Sequence, residues 1–458
     1  MAPKFGTSGL RGLVVELTED LVRDYTAAFL VACPHGGAVH VGRDLRPSSP
    51  QIAGWVLDAV QDAGMRAVDC GALPTPALAL SSLQAGCAAI MVTGSHIPAD
   101  RNGLKFYVPT GEITKDDEAR INAALGQRVQ GSRGAAETKQ ALDDYVARYA
   151  SAYGRALDGL TVGVYQHSSV ARDVMVTVFE GLGARTVPIA RSEVFIPVDT
   201  EALDPDTQAL FAGWFAEHGL GVLVSTDGDA DRPMVVDDAG RVVPGDVLGA
   251  LTARALGARE VCTPVSSNTM VSEMGFDRVA LTRIGSPFVI AAMEDALAQD
   301  PEVKVVGYEA NGGFLLGFAA QGPNGPLAPL MTRDCLLPMI APLAEARAKG
   351  LTLAGLVDAL PQRFTAADRL QGIATEKSRA LLAELSASAK ARQAFFGETE
   401  THLNETDGLR LTFAEGHVIH LRPSGNAPEF RCYAEARSRE AATALMRQTL
   451  ETVAQRLG

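Results

Sequence analysis

The chain of 458 residues carries a formal net charge of −13 at pH 7, with 47% hydrophobic and 21% charged residues. Its length exceeds a single core and predicts about three or four domains of about 100 to 200 residues each. The acidic balance, with no offsetting basic run, argues against nucleic acid as a partner, and no stretch of about 18 apolar residues is present for a membrane span. Small anions are not excluded, because local arginines and helix N-termini bind them in acidic proteins.

The six cysteines are scattered along the chain without a Cys-x-x-Cys pair; they are Cys33, Cys70, Cys87, Cys262, Cys335 and Cys432. We expect buried, reduced thiols, which are typical of cytosolic proteins. The first residues, Met-Ala-Pro-Lys-Phe-Gly, lack the apolar core of a signal peptide. These features predict a cytoplasmic protein that does not enter a membrane.

A glycine-rich loop at residues 5–12 contains three glycines, two hydroxyl side chains and Arg11. Backbone N–H groups and a guanidinium in such a loop can bind an anion. A flexible N-terminal arm is the alternative interpretation of the same residues.

Helical patterns and apolar runs alternate from residue 21 to residue 92. The predicted strands are 39–42, 66–70 and 87–92, and the predicted helices are 21–33, 51–63 and 75–83. Strands that alternate with helices of about 10 to 15 residues are the signature of a doubly wound, mostly parallel sheet. The polar residues 126–139 then predict a surface segment before a helix at 142–153.

Ser95 follows the predicted strand 87–92, at the carboxyl end where open α/β sheets bind ligands. Gly94 beside it lets the backbone approach a ligand, and Lys105 follows within an apparently polar loop. Ser95 is therefore a candidate nucleophile or carrier of a transferable group; a turn residue or helix N-cap is the alternative. A Ser-His-Asp hydrolase is disfavoured, because Ser95 and His96 are neighbours and no Gly-x-Ser-x-Gly elbow surrounds them.

A second α/β unit is predicted from strands at 160–165, 184–189 and 221–225 and helices at 171–181 and 207–218. Asp227, Asp229 and Asp231 follow its last strand at alternate positions, a pattern that can direct three oxygen ligands at one divalent cation. An EF-hand does not fit, because Arg232 stands where its glycine is required and a strand precedes the loop. A solvated acidic turn is the remaining alternative, although alternating aspartates after a buried strand are costly without a cation.

A third unit begins near residue 256, with strands at 260–265, 279–282 and 303–307 and helices at 269–274 and 287–298. Its last strand leads into Glu309, Ala310, Asn311, Gly312 and Gly313. A carboxylate and an amide at this spacing can hold the vicinal hydroxyls of a polyol; a Gly-Gly turn with a chance glutamate is the alternative. The three units share an architecture in which a polar loop follows a strand, but no residue-level repeat is visible.

From residue 368 the pattern changes to strands at 370–374, 408–413, 417–421 and 430–436 and helices at 376–396 and 439–457. This order is typical of an antiparallel α+β domain. A loop between two of its strands contains Arg422, Ser424, Gly425 and Asn426, and Arg431 follows. Two arginines and a polar turn can bind a phosphate dianion.

The order and separation of these four loops resemble those of the α-D-phosphohexomutase family, from residue 5 to about residue 436. In that family a phosphoserine in a Thr-(Ala/Gly)-Ser-His-(Asn/Ile)-Pro loop donates its phosphoryl group, and Ser95 with His96 matches it. The family's metal-binding Asp-Gly-Asp-x-Asp-Arg loop matches residues 227–232. Lys105 matches a lysine implicated as a general base, and Arg11 matches an arginine near the phosphoserine.

Two loops depart from the family's pattern. The sugar loop, commonly Gly-Glu-x-Ser-Gly-His, aligns with residues 308–313, where Asn311 replaces serine and Gly313 replaces histidine. The Arg-x-Ser-Gly-Thr-Glu-Pro phosphate loop aligns with residues 422–428, with Asn426 and Ala427 in place of Thr-Glu. On this resemblance we assign substrate binding to Glu309, Asn311, Gly312, Arg283, Ser286, Arg422, Ser424, Gly425, Asn426 and Arg431.

The resemblance implies three Rossmann-like, doubly wound α/β domains with mixed sheets, at residues 1–155, 156–255 and 256–367, around a central cleft. A smaller C-terminal α+β domain, 368–458, closes over the cleft and binds a phosphate. Mg²⁺ is the implied cofactor, held by Ser95, Asp227, Asp229 and Asp231. The implied reaction interconverts hexose 6-phosphate and hexose 1-phosphate through a hexose 1,6-bisphosphate, in a monomer or homodimer.

Mannose is the favoured sugar, with glucose and glucosamine as alternatives on the same scaffold. Two other classes of function are open. A metal-dependent sugar phosphatase would use Ser95 and the aspartates, but it would have little use for a second phosphate site. A catalytically inactive sugar-phosphate sensor would be expected to have lost Ser95 or an aspartate, and neither is lost.

Overall fold

The structure is a computed structural model that describes residues 3–6, 9–129, 131–201, 203, 205–423 and 429–457. Ser424, Gly425 and Asn426 of the predicted phosphate loop lie outside these residues. Within the described ranges, no helix has both the length and the apolar character needed to cross a membrane. The six cysteines are free, and all except the half-buried Cys70 are buried.

The first unit is a mixed sheet covered by helices. Its elements in chain order are Lys4–Phe5 (β1), Leu10–Leu13 (β2), Glu19–Ala32 (α1), Ala38–Arg43 (β3), Ser49–Asp62 (α2), Arg66–Ala72 (β4), Thr75–Gln84 (α3), Ala88–Val92 (β5), Arg101–Val108 (β6), Gly111–Glu112 (β7), Lys115–Ala123 (α4), Ala136–Thr138 (β8) and Leu142–Tyr153 (α5). The strand order is β1-β2-β6-β5-β3-β4-β8, with β7 paired to β6. Strands β4, β3 and β5 are parallel, and β6 runs antiparallel to β5.

The second unit is a smaller mixed sheet. Its elements are Thr161–His167 (β9), Arg172–Gly181 (α6), Arg185–Arg191 (β10), Pro205–His218 (α7), Val222–Thr226 (β11), Pro233–Val236 (β12), Val242–Val243 (β13) and Gly245–Ala255 (α8). The strand order is β10-β9-β11-β12-β13. The first three strands in this order are parallel, and β12 is antiparallel to β11.

The third unit repeats that pattern. Its elements are Glu260–Pro264 (β14), the 3₁₀ helix Thr269–Glu273, Arg278–Thr282 (β15), Ser286–Gln299 (α9), Val305–Tyr308 (β16), Phe314–Leu316 (β17), Ala320–Gln321 (β18), Pro326–Leu327 (β19), Leu330–Asp334 (β20), Leu337–Lys349 (α10) and Leu353–Asp358 (α11). The main sheet has the order β15-β14-β16-β17-β20, while β18 and β19 form a separate pair. Strands β15, β14 and β16 are parallel, and β17 is antiparallel to β16.

The last unit is an antiparallel sheet with its own apolar core. Its elements are Phe364–Gln371 (β21), Thr375–Ala387 (α12), Ala389–Phe396 (α13), Glu400–Asn404 (β22), Leu409–Phe413 (β23), Val418–Pro423 (β24), Glu429–Ala436 (β25) and Arg439–Leu457 (α14). The strand order is β21-β25-β24-β23-β22. Strand β21 begins before residue 368, the first residue of the predicted fourth domain. The predicted fold class, α/β units followed by an α+β unit, is confirmed.

The three α/β sheets place their functional loops at equivalent positions. In each sheet the third parallel strand ends in a loop and the chain returns as an antiparallel strand: β5 to β6, β11 to β12 and β16 to β17. The loops are residues 93–100, 227–232 and 309–313. Because they all leave the carboxyl ends of parallel strands, they line the edges where such sheets bind ligands.

Several predicted elements differ from the structure. Lys105 lies on the buried central strand β6 and not in a polar loop; the strand was missed because Arg101, Asn102 and Lys105 interrupt its apolar pattern. The predicted surface segment 126–139 is exposed or half-buried over its described residues. It is not all irregular, because its residues 136–138 form the edge strand β8.

Two boundaries in the last unit were also wrong. The strand predicted at 370–374 is β21, which ends earlier because Gly372 follows with φ 74°. The helix predicted at 376–396 is interrupted at Ser388, whose extended backbone ends α12 and whose Oγ accepts a hydrogen bond from the N–H of Ala391 to cap α13.

Candidate active site

Ser95 lies on the loop between β5 and β6 with its side chain buried. Its backbone has a left-handed conformation, with φ 53°, that is uncommon outside glycine. Its Oγ donates a hydrogen bond to Oδ2 of Asp227, 2.6 Å away, and lies 3.4 Å from Nδ1 of His96. The hydroxyl of the first unit therefore contacts the aspartate loop of the second.

The buried side chain of Arg46 holds the serine loop in this conformation. Its guanidinium donates to four backbone carbonyls between residues 95 and 101, at 2.5 to 2.9 Å. Oδ2 of Asp44 accepts from Nε of Arg46 at 3.1 Å and from the hydroxyl of Thr93 at 2.8 Å. A Cβ atom at Gly94 would lie 2.5 Å from the guanidinium carbon, so glycine is required there by the arginine.

The aspartate loop brings three buried carboxylates together. Asp227, Asp229 and Asp231 each offer one oxygen, and these oxygens lie within 4.8 Å of one another. Oδ1 of Asp229 and Oδ1 of Asp231 have no hydrogen-bond partner among the described residues. Buried carboxylate oxygens are costly when unpaired, and three of them at one point form a donor set that Mg²⁺ prefers. The residues present therefore fit the cation that the resemblance implies.

Two side chains of the first unit are bonded to this loop. Nζ of Lys105 donates to Oδ2 of Asp229 and to Oδ2 of Asp231, at 2.6 Å in both cases. Thr75, at the start of α3, donates its hydroxyl to Oδ2 of Asp229 at 2.8 Å and its N–H to the Asp229 carbonyl at 2.9 Å. The position of the carboxylates is therefore fixed from both units.

The three carboxyl groups titrate differently because their neighbours differ. Burial, together with the charges of Asp229 and Asp231, raises the pKa of Asp227 well above its ordinary value. Burial also acts to raise the pKa of Asp229, but the ammonium of Lys105 outweighs it and the pKa is lowered. The pKa of Asp231 is lowered too, because Arg333 and Lys105 outweigh burial.

Arg11, His96 and Arg232 surround the serine. Nη1 of Arg11 donates to the carbonyl of Gly94 at 2.6 Å, and burial lowers the pKa of its guanidinium to about 10. Burial and the charges of Arg232 and Arg11 lower the pKa of His96 to about 2, so its ring is neutral at neutral pH. Nε of Arg232 lies 3.9 Å from Oδ2 of Asp227. Two cationic side chains therefore lie near the serine loop, and the neighbouring imidazole of His96 carries no charge.

The predicted sugar loop forms a tight turn between β16 and β17. The N–H of Gly312 donates to the carbonyl of Glu309 at 2.9 Å, and the N–H of Gly313 donates to Oδ1 of Asn311 at 3.0 Å. Gly312 has φ 86°, and a Cβ there would lie 2.7 Å from Cγ of Pro233. The side chain of Asn311 thus braces the turn, which presents the carboxylate of Glu309.

Arg333, on β20, joins the sugar loop to the aspartate loop. Its side chain is buried; Nη1 lies 3.2 Å from Oε2 of Glu309, and Nη2 lies 2.7 Å from Oδ2 of Asp231. Arg333 was missed in the sequence, where the signal was a single Thr-Arg-Asp interruption of the apolar run from residue 327 to residue 344.

Arg283 and Ser286 lie at the start of α9, away from the carboxylate cluster. Ser286 is buried and donates its hydroxyl to Oε2 of Glu112 at 3.0 Å, a contact between the first and third units. Arg283 is exposed, with its guanidinium carbon 4.9 Å from the centre of the Phe288 ring. Neither side chain contacts the three aspartates in this conformation.

Arg422 and Arg431 are opposite each other on β24 and β25. The Nε atoms of both are buried and have no hydrogen-bond partner among the described residues. Nη1 of Arg422 lies 3.4 Å from Oδ2 of Asp407, an oxygen that also accepts from the N–H of Ile284 in the third unit at 2.9 Å. Two adjacent guanidinium groups with unused N–H donors suit a phosphate dianion.

Comparison with known proteins gives matches over nearly the whole chain. Models of phosphoglucomutase/phosphomannomutase α/β/α domain I and of the C-terminal domain match residues 2–132 and 371–452. A phosphomannomutase from Sinorhizobium fredii is 45% identical, covering 98% of both chains. One from Salmonella muenchen is 41% identical, covering 99% of this chain and 96% of its own. The crystal structure of a phosphoglucomutase/phosphomannomutase family protein from Burkholderia thailandensis shares the fold with a TM-score of 0.78, at 22% identity, covering 98% of this chain and 96% of its own.

Proposed function

Since the chain belongs to the phosphoglucomutase/phosphomannomutase family and is therefore a phosphohexomutase, we propose that it interconverts mannose 6-phosphate and mannose 1-phosphate. Mannose is supported by the two phosphomannomutases that are 45% and 41% identical over nearly their full length. Glucose and glucosamine phosphates are the alternatives on this scaffold.

The observation that carries the proposed mechanism is the 2.6 Å contact between Ser95 Oγ and Asp227 Oδ2. It supports Ser95 as the phosphoryl carrier, because a phosphate on this hydroxyl would lie beside the aspartate cluster. Asp227, Asp229 and Asp231 would hold Mg²⁺ with an oxygen of Ser95. When bound, the ion supplies charge neutralisation for the transferring phosphoryl group.

The reaction has two half-reactions of the same kind. In the first, the P–O bond to Ser95 breaks as a P–O bond to the free sugar hydroxyl forms. The hydroxyl proton passes to a base, and the serine oxygen that leaves takes up a proton, which it gives up when Ser95 is phosphorylated again. Lys105 is our candidate for that base on the resemblance to the family. Its hydrogen bonds to Asp229 and Asp231 hold its Nζ in the carboxylate cluster. The hexose 1,6-bisphosphate then turns over in the cleft and returns its other phosphoryl group to Ser95.

Phosphoryl transfer depends on positioning and charge more than on covalent chemistry. Arg11 contacts the residue before Ser95, and Arg232 lies near Asp227, the hydrogen-bond partner of Ser95. Both cations would stabilise the charge that spreads over the phosphoryl oxygens. His96 is neutral at neutral pH, so we assign it a hydrogen-bonding role near Ser95 Oγ and not a second positive charge.

The far end of the substrate is assigned to the third and fourth units. The carboxylate of Glu309 would accept hydrogen bonds from sugar hydroxyls. Arg422 and Arg431 would bind the phosphate that is not reacting; residues 424–428 between them lie outside the described residues. Because an arginine fork recognises the dianion and not the sugar ring, this contact is compatible with both orientations of the bisphosphate.

A metal-dependent sugar phosphatase is the second candidate, and one experiment separates the two. The purified protein is incubated with Mg²⁺, a catalytic amount of mannose 1,6-bisphosphate and mannose 1-phosphate, and ³¹P NMR follows the products. We expect mannose 6-phosphate without inorganic phosphate; inorganic phosphate as the main product would support the phosphatase. Parallel samples of glucose 1-phosphate and glucosamine 1-phosphate rank the sugars. The cytoplasmic location and the oligomeric state stay predictions from the sequence.

A further inference from the structure

The sugar loop lacks a side chain at Gly313, where the family's loop commonly has histidine. The backbone does not demand glycine there, because Gly313, unlike Gly312, is not in a left-handed conformation. Glycine is required there by the neighbouring side chain, because a Cβ at position 313 would lie 2.7 Å from Cδ, 2.8 Å from Cγ and 3.0 Å from Cβ of Arg333. Arg333 therefore occupies the volume next to the loop into which a residue-313 side chain would extend.

The guanidinium of Arg333 connects the two loops of the site. It contacts Oε2 of Glu309 at 3.2 Å and Oδ2 of Asp231 at 2.7 Å. Its hydrogen bond to Oε2 restricts the rotation of the Glu309 carboxylate. The two terminal nitrogens of the rigid guanidinium contact different carboxylates, so one side chain restricts both Glu309 and Asp231.

The backbone beneath Arg333 is itself anchored. Oδ1 of Asp334 accepts a hydrogen bond from the hydroxyl of Tyr145, 2.7 Å away on α5, and from the N–H of Leu336 at 2.9 Å. Tyr149 donates to the other oxygen of the same carboxylate. These buried bonds tie β20 to the first unit, and β20 also pairs with β17, where Asp334 is opposite Phe314. The position from which Arg333 extends is therefore fixed by contacts in both units.

We propose that Arg333 is the positioning residue for sugar recognition in this chain, that it replaces the histidine of the family's loop, and that Gly313 is the compensating change that makes room for it. Arg333 orients Glu309 toward the sugar hydroxyls and links that carboxylate to the aspartate loop through Asp231. This inference rests on the proposed function, because it takes Glu309 to be the residue that binds the sugar.

An exchange of side chains tests the proposal. We expect Arg333→Ala to raise the KM for mannose 1-phosphate by about tenfold or more, since Glu309 loses its orientation. Gly313→Ala should raise KM in the same direction in the wild-type background, because its Cβ displaces Arg333. It should raise KM by a smaller factor in the Arg333→Ala background, where of the three close contacts only the one with Cβ of residue 333 is left. The double variant Arg333→Ala/Gly313→His should recover at least about tenfold in kcat/KM over Arg333→Ala alone. Arg278→Lys, an exposed arginine of the same unit, is the matched control and should behave as wild type.

Two further measurements keep the test decisive. Thermal unfolding is recorded for each variant. If Arg333→Ala does not fold, Arg333→Lys, which keeps the charge, replaces it. We expect Arg333→Lys also to change the ratio of kcat/KM for mannose 1-phosphate to kcat/KM for glucose 1-phosphate. Additive effects of Gly313→Ala and Arg333→Ala, or no recovery in the exchanged double variant, overturn the proposal. A wild-type protein that isomerises no hexose phosphate would instead overturn the proposed function, so the two failures are distinct.

Discussion

Nζ of Lys105 lies 2.6 Å from Oδ2 of Asp229, a residue 124 positions later in the chain. The lysine belongs to the antiparallel strand that follows the serine loop, and the aspartate belongs to the loop after the third parallel strand of the second unit. The contact is buried on both sides. The hydroxyl of Ser95, Nζ of Lys105 and the carboxylates of the aspartate loop are thus held in one cluster by contacts between the first and second units.

The aspartate cluster should be essential for activity. We expect Asp229→Asn to lower kcat by at least about 100-fold, because it removes a charged ligand oxygen from a site that must hold Mg²⁺ against water. The loss should be partly reversed by excess Mg²⁺ in a steady-state titration. The exposed Asp277→Asn is the control and should show the wild-type Mg²⁺ dependence. An Asp229→Asn protein as active as wild type at micromolar Mg²⁺ would locate the ion elsewhere.

The support of the serine loop by Arg46 should be as important as the serine's own contacts. Arg46→Lys keeps the charge but cannot reach four carbonyls at once. We expect a loss of about 1.5–3 kcal/mol in unfolding free energy and faster hydrogen exchange confined to residues 94–101. Arg66→Lys, an exposed arginine on β4, is the comparison. Unchanged exchange in the serine loop would show that Arg46 is not what holds it.

The sequence was informative where a functional side chain directly follows a buried strand. Ser95 and the three aspartates were found because apolar runs of strand length precede them, and the parallel-sheet rule then predicts their place. Lys105 was identified through the family's motif, but its strand was not, because polar residues on β6 are satisfied by buried partners that a linear pattern does not reveal. Asn102, for example, donates to Ser48 and Ser49.

The roles of Arg46 and Arg333 could not be predicted from the sequence pattern. Arg46 bonds carbonyls 49 to 55 residues away, and Arg333 pairs with Asp231 from another unit. Each is one charged residue with no recognisable motif around it, and its contacts exist only once distant loops are folded together. The effect of Gly313 likewise becomes visible only when the side chain of Arg333 is in place.

The phosphate contact at Arg422 should serve both halves of the cycle. Arg422→Lys retains the charge but loses the fork, so we expect KM for the hexose monophosphate to rise by about tenfold. The bisphosphate should also escape more often, which makes activity more dependent on added hexose 1,6-bisphosphate. Initial rates at several bisphosphate concentrations measure both effects, with the exposed Arg456→Lys as control. If KM and the bisphosphate requirement are unchanged, the phosphate binds elsewhere.

Buried histidines should make the fold sensitive to acid. His40 is buried beside Ser81, and burial, with the charges of Lys139 and Arg66, lowers its pKa to about 4 from an ordinary 6.5. Between these values the unfolded chain binds a proton that the folded chain does not, so stability falls as pH decreases from 6.5 toward 4, by up to about 3 kcal/mol for this residue. Urea unfolding at pH 7 and pH 4.5 should therefore show a smaller drop for His40→Gln than for wild type. The exposed His402→Gln should keep the full drop; equal drops in all three proteins would contradict the assignment.

The central claim is that Ser95 carries the transferred phosphoryl group, and intact-mass spectrometry after incubation with hexose 1,6-bisphosphate tests it most directly. The wild type should gain the mass of one phosphate and lose it on addition of hexose monophosphate, with the bisphosphate appearing in solution. Ser95→Ala should fold normally, because the loop is held by Arg46 and not by the hydroxyl, yet should gain no mass and isomerise no sugar phosphate. A folded Ser95→Ala protein that still takes up phosphate, or that turns over at the wild-type rate, would contradict the account.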